Sequence, residues 1–191
     1  MDVDQKNMKL LLPNLETERL KFRLVQQSDF NEWLPLFEHP EVAGFLGLDD
    51  SKPLHEICTA FFERVFSRYE RETGGMNALV DKSTGEMVGQ CGLMMQNIAG
   101  KKFMEVGYAV IPKFWGKGYA SEAAQKCRDY AFENHLTETL SSVINVGNTG
   151  SENVAKRNGM HIAEFIPDYQ GDAINRWEIS KKNWLKLQDK G

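Results

Sequence analysis

One stretch, Glu105-Val-Gly-Tyr-Ala-Val-Ile-Pro-Lys-Phe-Trp-Gly-Lys-Gly-Tyr-Ala-Ser-Glu-Ala-Ala124, constrains the fold more than any other. It reads as a strand, a turn carrying Gly116 and Gly118, and the start of a helix in direct succession. Glycine enters left-handed backbone without a Cβ clash, so these two residues let successive N–H groups point at one anion. The helix that follows adds the positive end of its dipole. A single oxyanion or a pyrophosphate suits such a cradle. The helix is marked by Ala120, Ala123, Ala124, Cys127, Tyr130 and Ala131, which recur at three- and four-residue spacing, and Glu122 sits in the first turn, where a carboxylate suits the dipole. A plain strand-to-helix connection would use the same glycines, so spacing alone leaves both readings open. Two nucleotide motifs do not fit. A Walker A loop needs Gly-Lys-Ser/Thr, but Lys117 precedes Gly118 and Ile111 stands where the earlier glycine belongs. A dinucleotide fingerprint needs a third glycine where Ser121 stands.

The rest of the chain supplies strands on both sides of this unit. Leu20, Phe22 and Leu24 alternate with charged residues, the period of a half-buried strand. Ser28 offers an N-cap to a helix with Phe30, Trp33, Leu34 and Phe37 on one face, expected to end near Pro40. A second helix follows Pro53, with Cys58, Phe61, Phe62, Val65, Phe66 and Tyr69 as a stripe assigned to core packing, and it stops at Thr73-Gly-Gly75. Residues 77–82, 87–95 and 103–111 read as an antiparallel meander, joined by turns at 83–86 and 97–100. Beyond the central helix come a strand at 139–146, a short helix at 150–158, and a hairpin of 161–166 with 174–180. The arrangement is an α/β (α+β) domain over residues 15–188, preceded by an extension at 1–14.

Composition narrows the function. A net charge of −4 argues against a broad nucleic-acid surface, although Lys113 and Lys117 offer a local basic strip to phosphates. No apolar run approaches a membrane span, and the start of the chain lacks the basic-then-apolar order of a signal peptide, so a cytoplasmic protein with neither nucleic-acid nor membrane partner is expected. Cys58, Cys91 and Cys127 are scattered and odd in number and read as thiols; the four histidines lie far apart, and no metal site is suggested.

The run from Phe114 to Ala123 resembles the Tyr/Phe-Trp-Gly-Lys-Gly-Tyr-Ala-x-Glu-Ala signature of the RimJ/RimL-like branch of the GNAT superfamily, acetyl-CoA-dependent N-acetyltransferases. The wider superfamily pattern, Gln/Arg-x-x-Gly-x-Gly/Ala, falls on Trp115, Gly118 and Ala120. The resemblance extends from residues 16–24 through Asn148-x-x-Ser151 and Arg157-Asn-Gly-Met160 to Trp184, nearly the whole chain. It implies a GNAT fold: one mixed, mostly antiparallel sheet flanked by helices, with two central strands splayed apart.

By that resemblance, acetyl-CoA is the co-substrate and an amine the acceptor, with no metal, in a monomer or homodimer. The pyrophosphate would lie on the backbone of Trp115, Gly116, Lys117, Gly118, Tyr119 and Ala120. The strand through Tyr108, Ala109 and Val110 would hold the pantetheine arm and thioester, and Asn148 and Ser151 would contact the coenzyme, although both residue types also favour helix caps. Trp115 is either a lid on the cradle or a cover for the sheet. Glu105 is the candidate general base; its other reading is a solvent-facing or salt-bridged strand residue. The tyrosine that many GNAT enzymes use as an acid is replaced by Ala155, leaving Ser151 or water to protonate the thiolate. The acceptor is expected to be the α-amine of a protein or peptide N-terminus, between walls formed by segment 39–53 and the loop 167–172, where Glu164, Asp168 and Asp172 would attract a cationic amine. A small-molecule amine, or a CoA-binding module without turnover, are the alternatives.

Overall fold

The computed structural model describes residues 10–189. Its strands are β1 (Leu20–Leu24), β2 (Asn77–Asp81), β3 (Met87–Ile98), β4 (Lys101–Val110), β5 (Thr139–Asn145), β6 (His161–Tyr169) and β7 (Asp172–Ser180). They form one sheet in the order β1-β2-β3-β4-β5-β7-β6. Every neighbouring pair is antiparallel except β4 with β5, the parallel pair at the centre. The helices are α1 (Phe30–Trp33), α2 (Pro40–Phe45), α3 (Leu54–Glu70), α4 (Tyr119–Glu133), α5 (Thr149–Arg157) and α6 (Lys181–Gln188).

The two faces of the sheet have separate covers. Cys91 of β3 pairs across the strands with Tyr108, and its sulfur lies 3.5 Å from that of Cys127, so α4 packs on the face carrying Cys91 and Tyr108. On the opposite face, Arg68 of α3 donates to Gln96 of β3, which in turn donates to Glu105 of β4. The stripe on α3 is core as expected: Cys58, Phe61, Phe62 and Val65 are buried, and the ring of Phe61 stacks 5.4 Å from that of Trp33. Leu12 is buried as well, and its N–H donates to Asn77, so the core draws on the segment ahead of β1. Trp184 of α6 packs on Phe132 and donates its indole N–H to Asp129, closing the end of the chain onto α4. All three cysteines are buried thiols.

Several local expectations change. The first helical segment begins at Gln26 rather than Ser28: Asp29 accepts from the Gln26 N–H, completing a capping box, and 3-10 turns at Gln27–Asp29 and Leu34–Glu38 flank α1. Pro40 opens α2 instead of only ending what precedes it, because proline is well suited to a first helical position. The turn at 97–100 shrinks to Ala99 and Gly100, both at positive φ, which lengthens β3 and β4 into a two-residue hairpin. The loop at 167–172 likewise shrinks to Gln170 and Gly171, with Tyr169 paired to Asp172. No helix of the described residues is long and apolar enough to cross a membrane.

Candidate active site

The centre of the sheet forks. β4 and β5 pair only at Met104 with Leu140 and Glu105 with Ser141. Beyond that point backbone pairing is replaced by side-chain ties. The Ser142 hydroxyl donates to the Val106 carbonyl at 2.8 Å, the Val143 N–H donates to Glu105 Oε1 at 3.3 Å, and the Tyr108 hydroxyl donates to the Ser151 carbonyl at 2.9 Å. Tyr108, Ala109 and Val110 therefore border an opening between the strands. Burial pushes the Tyr108 phenol well above its ordinary pKa, so it stays protonated. The Val110 carbonyl is taken by the indole N–H of Trp115 at 2.6 Å. Trp115 is 46% exposed, and its ring lies 4.7 Å from that of His39, tilted by 47°, so it sits at the surface beside the end of β4.

The glycine turn has the predicted form. Gly116 (φ 74°) and Gly118 (φ 83°) are both left-handed, and Gly118 is the N-cap of α4 with no side chain capping it. A helix start leaves its first N–H groups without intrahelical partners, here those of Tyr119, Ala120 and Ser121. The Ser121 hydroxyl is buried without a partner among the described residues. A Cβ added at Gly116 would meet no atom within 4 Å, so the turn faces open space that an anion fits. The basic groups differ from expectation. Lys113 pairs with Glu86 at 2.8 Å, and the Lys117 ammonium lies 5.0 Å over the Phe114 ring. The cation beside the cradle is Arg19, whose Nη2 lies 3.5 Å from the position a Gly118 Cβ would take. Its guanidinium pairs with Glu122 at 2.6 Å and lies 4.5 Å over the Tyr119 ring. Burial works against ionised Glu122, but hydrogen bonds from Thr17 and Arg19 and the charge of Arg19 hold its carboxyl below the usual range. The first-turn carboxylate is thereby neutralised and turned toward β1.

Glu105 stands at the bottom of the fork, only 8% exposed, and no cation among the described residues pairs with it. The solvent-facing and salt-bridged readings are both excluded. Its carboxylate accepts from Gln96 Nε2 at 2.5 Å as well as from Val143. Burial raises its pKa; those two hydrogen bonds and the positive charges of Arg68 and Arg64 oppose the rise without cancelling it. A carboxylate in this state retains a proton above the ordinary glutamate range and is a stronger base once it loses it. Gln96, Arg64 and Arg68 escaped the sequence reading, since a long-range contact leaves no local pattern.

Asn148 caps α5, its Oδ1 accepting the Ser151 N–H at 3.1 Å. Ala155 is buried one turn further on, so α5 brings no phenol to the fork; the nearby phenol is that of Tyr108, from β4. The two expected acceptor walls do meet: a Cβ at Gly47 would lie 3.3 Å from the Gln170 side chain and 4.0 Å from that of Arg64. Two of the three acidic groups expected to draw a cationic amine are engaged elsewhere. Glu164 pairs with Lys101 and Arg176, and Asp168 caps its own hairpin turn through the Gly171 N–H. Among the described residues no three His, Cys, Asp or Glu side chains gather to hold a metal ion.

A sheet forked beside an uncapped helix start, reached through a left-handed glycine turn, is the arrangement of the GNAT acetyltransferases, and residues 19–161 match the acetyltransferase (GNAT) domain family. The chain belongs to that family and is an acetyltransferase. It is similar to the Bacillus subtilis (strain 168) protein YkkB, with 33% identity over 156 residues that cover 80% of this chain and 87% of that one. Among solved structures, an acetyltransferase from Agrobacterium tumefaciens strain C58 matches with a TM-score of 0.69 and 28% identity, covering 86% of this chain and 94% of its own. RimL, the ribosomal L7/L12 alpha-N-protein acetyltransferase, solved in complex with coenzyme A, has the same fold at a TM-score of 0.66 and 18% identity, covering 87% of this chain and 97% of its own.

Proposed function

We propose that the enzyme transfers acetyl from acetyl-CoA directly to the α-amine of a protein or peptide N-terminus. The observation that carries this reading is the fork: a buried Glu105 at its base, its pKa raised by that burial, open β4 backbone along its side, and the uncapped start of α4 at its mouth. Residues 115–120 would receive the pyrophosphate, with the Arg19 guanidinium beside the turn cancelling the Glu122 carboxylate that would otherwise repel it. The N–H groups of Tyr108 and Val110, which the register with β3 turns toward the fork, would stabilise the oxyanion that forms as the amine attacks the thioester carbonyl, with Ala109 between them held in the β3 ladder. Glu105 takes the amine's proton, the carbon–sulfur bond breaks as the carbon–nitrogen bond is kept, and the departing thiolate takes a proton from water, directly or through the Ser151 hydroxyl, which gives up its proton and regains one from that water. An α-amine has a pKa of roughly 8 against about 10.4 for lysine, so it asks less of a single glutamate.

Incubating the protein with isotopically labelled acetyl-CoA and a mixture of peptides and small amines, followed by mass spectrometry, tests the acceptor. Label on peptide N-termini is expected. Label confined to small amines, with every peptide N-terminus untouched, overturns the choice.

A further inference from the structure

Two arginines of α3 face the fork from the acceptor side, and the fold does not answer their charge. Arg64 donates one N–H to the Leu46 carbonyl at 2.7 Å, and Arg68 donates to the Met95 carbonyl at 3.2 Å and the Gln96 side chain at 3.1 Å. A guanidinium has five N–H donors, so both keep capacity in reserve. Other arginines packed into the molecule have carboxylates: Arg19 has Glu122, Arg23 has Asp29, Arg128 has Asp129, and Arg176 has Glu164 and Glu178. Neither Arg64 nor Arg68 has a carboxylate of the described residues within ion-pair distance. They are half-buried, sit one helical turn apart and repel each other, and the carboxylate whose field reaches both is Glu105. With Glu105 ionised, the group still holds one surplus positive charge. It lies where the acceptor walls meet, beside Gly47 and Gln170.

We propose that Arg64 and Arg68 form a subsite for an anionic group of the acceptor, so that the amine substrate carries a carboxylate a few bonds from its reacting nitrogen. The inference rests on the N-terminal acceptor reading above, for which it means an acidic side chain in the first residues of the peptide. The guanidinium fork matches a carboxylate bidentately, and a half-buried position strengthens the pairing relative to open water. Polycationic amines meet repulsion at the same place. A free acidic amino acid carries the same chemistry in a small molecule.

The test compares kcat/KM for peptide twins beginning Ser-Asp and Ser-Asn, or Met-Glu and Met-Gln, alongside free aspartate, free glutamate and spermidine. It uses wild type, Arg64→Gln, Arg68→Gln and the double variant, with the KM for acetyl-CoA and the melting temperature as controls. The acidic twin is expected to be preferred by about tenfold or more in wild type, with the preference collapsing toward unity in the double variant. If the double variant does not fold, Arg64→Lys and Arg68→Lys, which keep the charge and lose the fork, are expected to reduce the preference singly. Equal rates for the twins in wild type, or an equal loss on both twins in the variants, overturns the subsite, the latter because the arginines would then serve only Glu105. An arginine-dependent preference among free amino acids with every peptide untouched keeps the subsite and removes the peptide acceptor. Peptide acetylation without acidic preference does the reverse. Turnover confined to spermidine removes both.

Discussion

Glu105 occupies a position that favours reactivity over stability. A carboxylate buried away from water is expensive to ionise, and its hydrogen bonds from Gln96 and Val143 only partly offset that cost. Because its folded pKa is raised above the unfolded value, its contribution to stability is complete below the ordinary glutamate pKa and is lost as pH rises through the folded pKa. Glu105→Gln should therefore remove that fall, so that thermal melts of variant and wild type diverge in the variant's favour as pH rises toward neutrality. The same substitution should lower kcat by about 10² or more while leaving acetyl-CoA affinity nearly unchanged. It should also abolish the limb of the kcat/KM profile that lies above the ordinary carboxylate range, leaving only that of the amine. Full turnover across the pH range in Glu105→Gln would pass the role to water. The acid is a lesser demand: a thiol pKa of roughly 8.5 makes the thiolate a tolerable leaving group near neutrality, so Ser151→Ala is expected to cost less than about tenfold in kcat. A much larger loss in Tyr108→Phe would assign that proton to the phenol held against the Ser151 carbonyl.

At the scale of elements, the start of α4 was legible because its determinants are local. Gly116 and Gly118 announce left-handed backbone, and the alanine and cysteine stripe announces the buried face, where Ala123, Ala124, Cys127 and Ala131 do lie. Elements set by a choice among neighbouring residues were less legible. Ser28 looked like a cap, but Gln26 and Asp29 formed the reciprocal pair, with Asp29 also fixed by Arg23 across the turn. The Gly118 turn yields a direct prediction. A valine there must hold left-handed backbone at a cost of about 1–2 kcal/mol, and its Cβ would point toward Arg19. Loss of measurable acetyl-CoA binding by calorimetry is expected in a Gly118→Val variant that retains its circular dichroism spectrum. Unchanged affinity in the folded variant would move the pyrophosphate off this turn.

For the whole molecule, strand periodicity identified the strands and family resemblance supplied their splay, but the ties across the fork come from residues far apart in sequence. Ser142 with Val106, Val143 with Glu105 and Tyr108 with Ser151 are such pairs. Alternation says which face a side chain takes and nothing about which strand lies opposite. The consequence is mechanical. The β1–β4 part of the sheet joins the β5–β7 part through two backbone pairs and a few side-chain bonds, so a ligand in the fork binds two halves that the backbone barely connects. Acetyl-CoA at about 100 times its Kd should add roughly 2.7 kcal/mol to the folded state. For a chain of this size that raises the melting temperature by about 5–10 °C. The gain should be localised. Amides of residues 106–110 and 142–146, at the open edges of β4 and β5, are expected to exchange with deuterium faster than those of β2 and β3 in the free protein. They should gain the largest protection when CoA is bound, together with the first turn of α4. A thermal shift accompanied by protection confined to β1, β2 or α6 would place the coenzyme outside the fork and overturn the site as a whole.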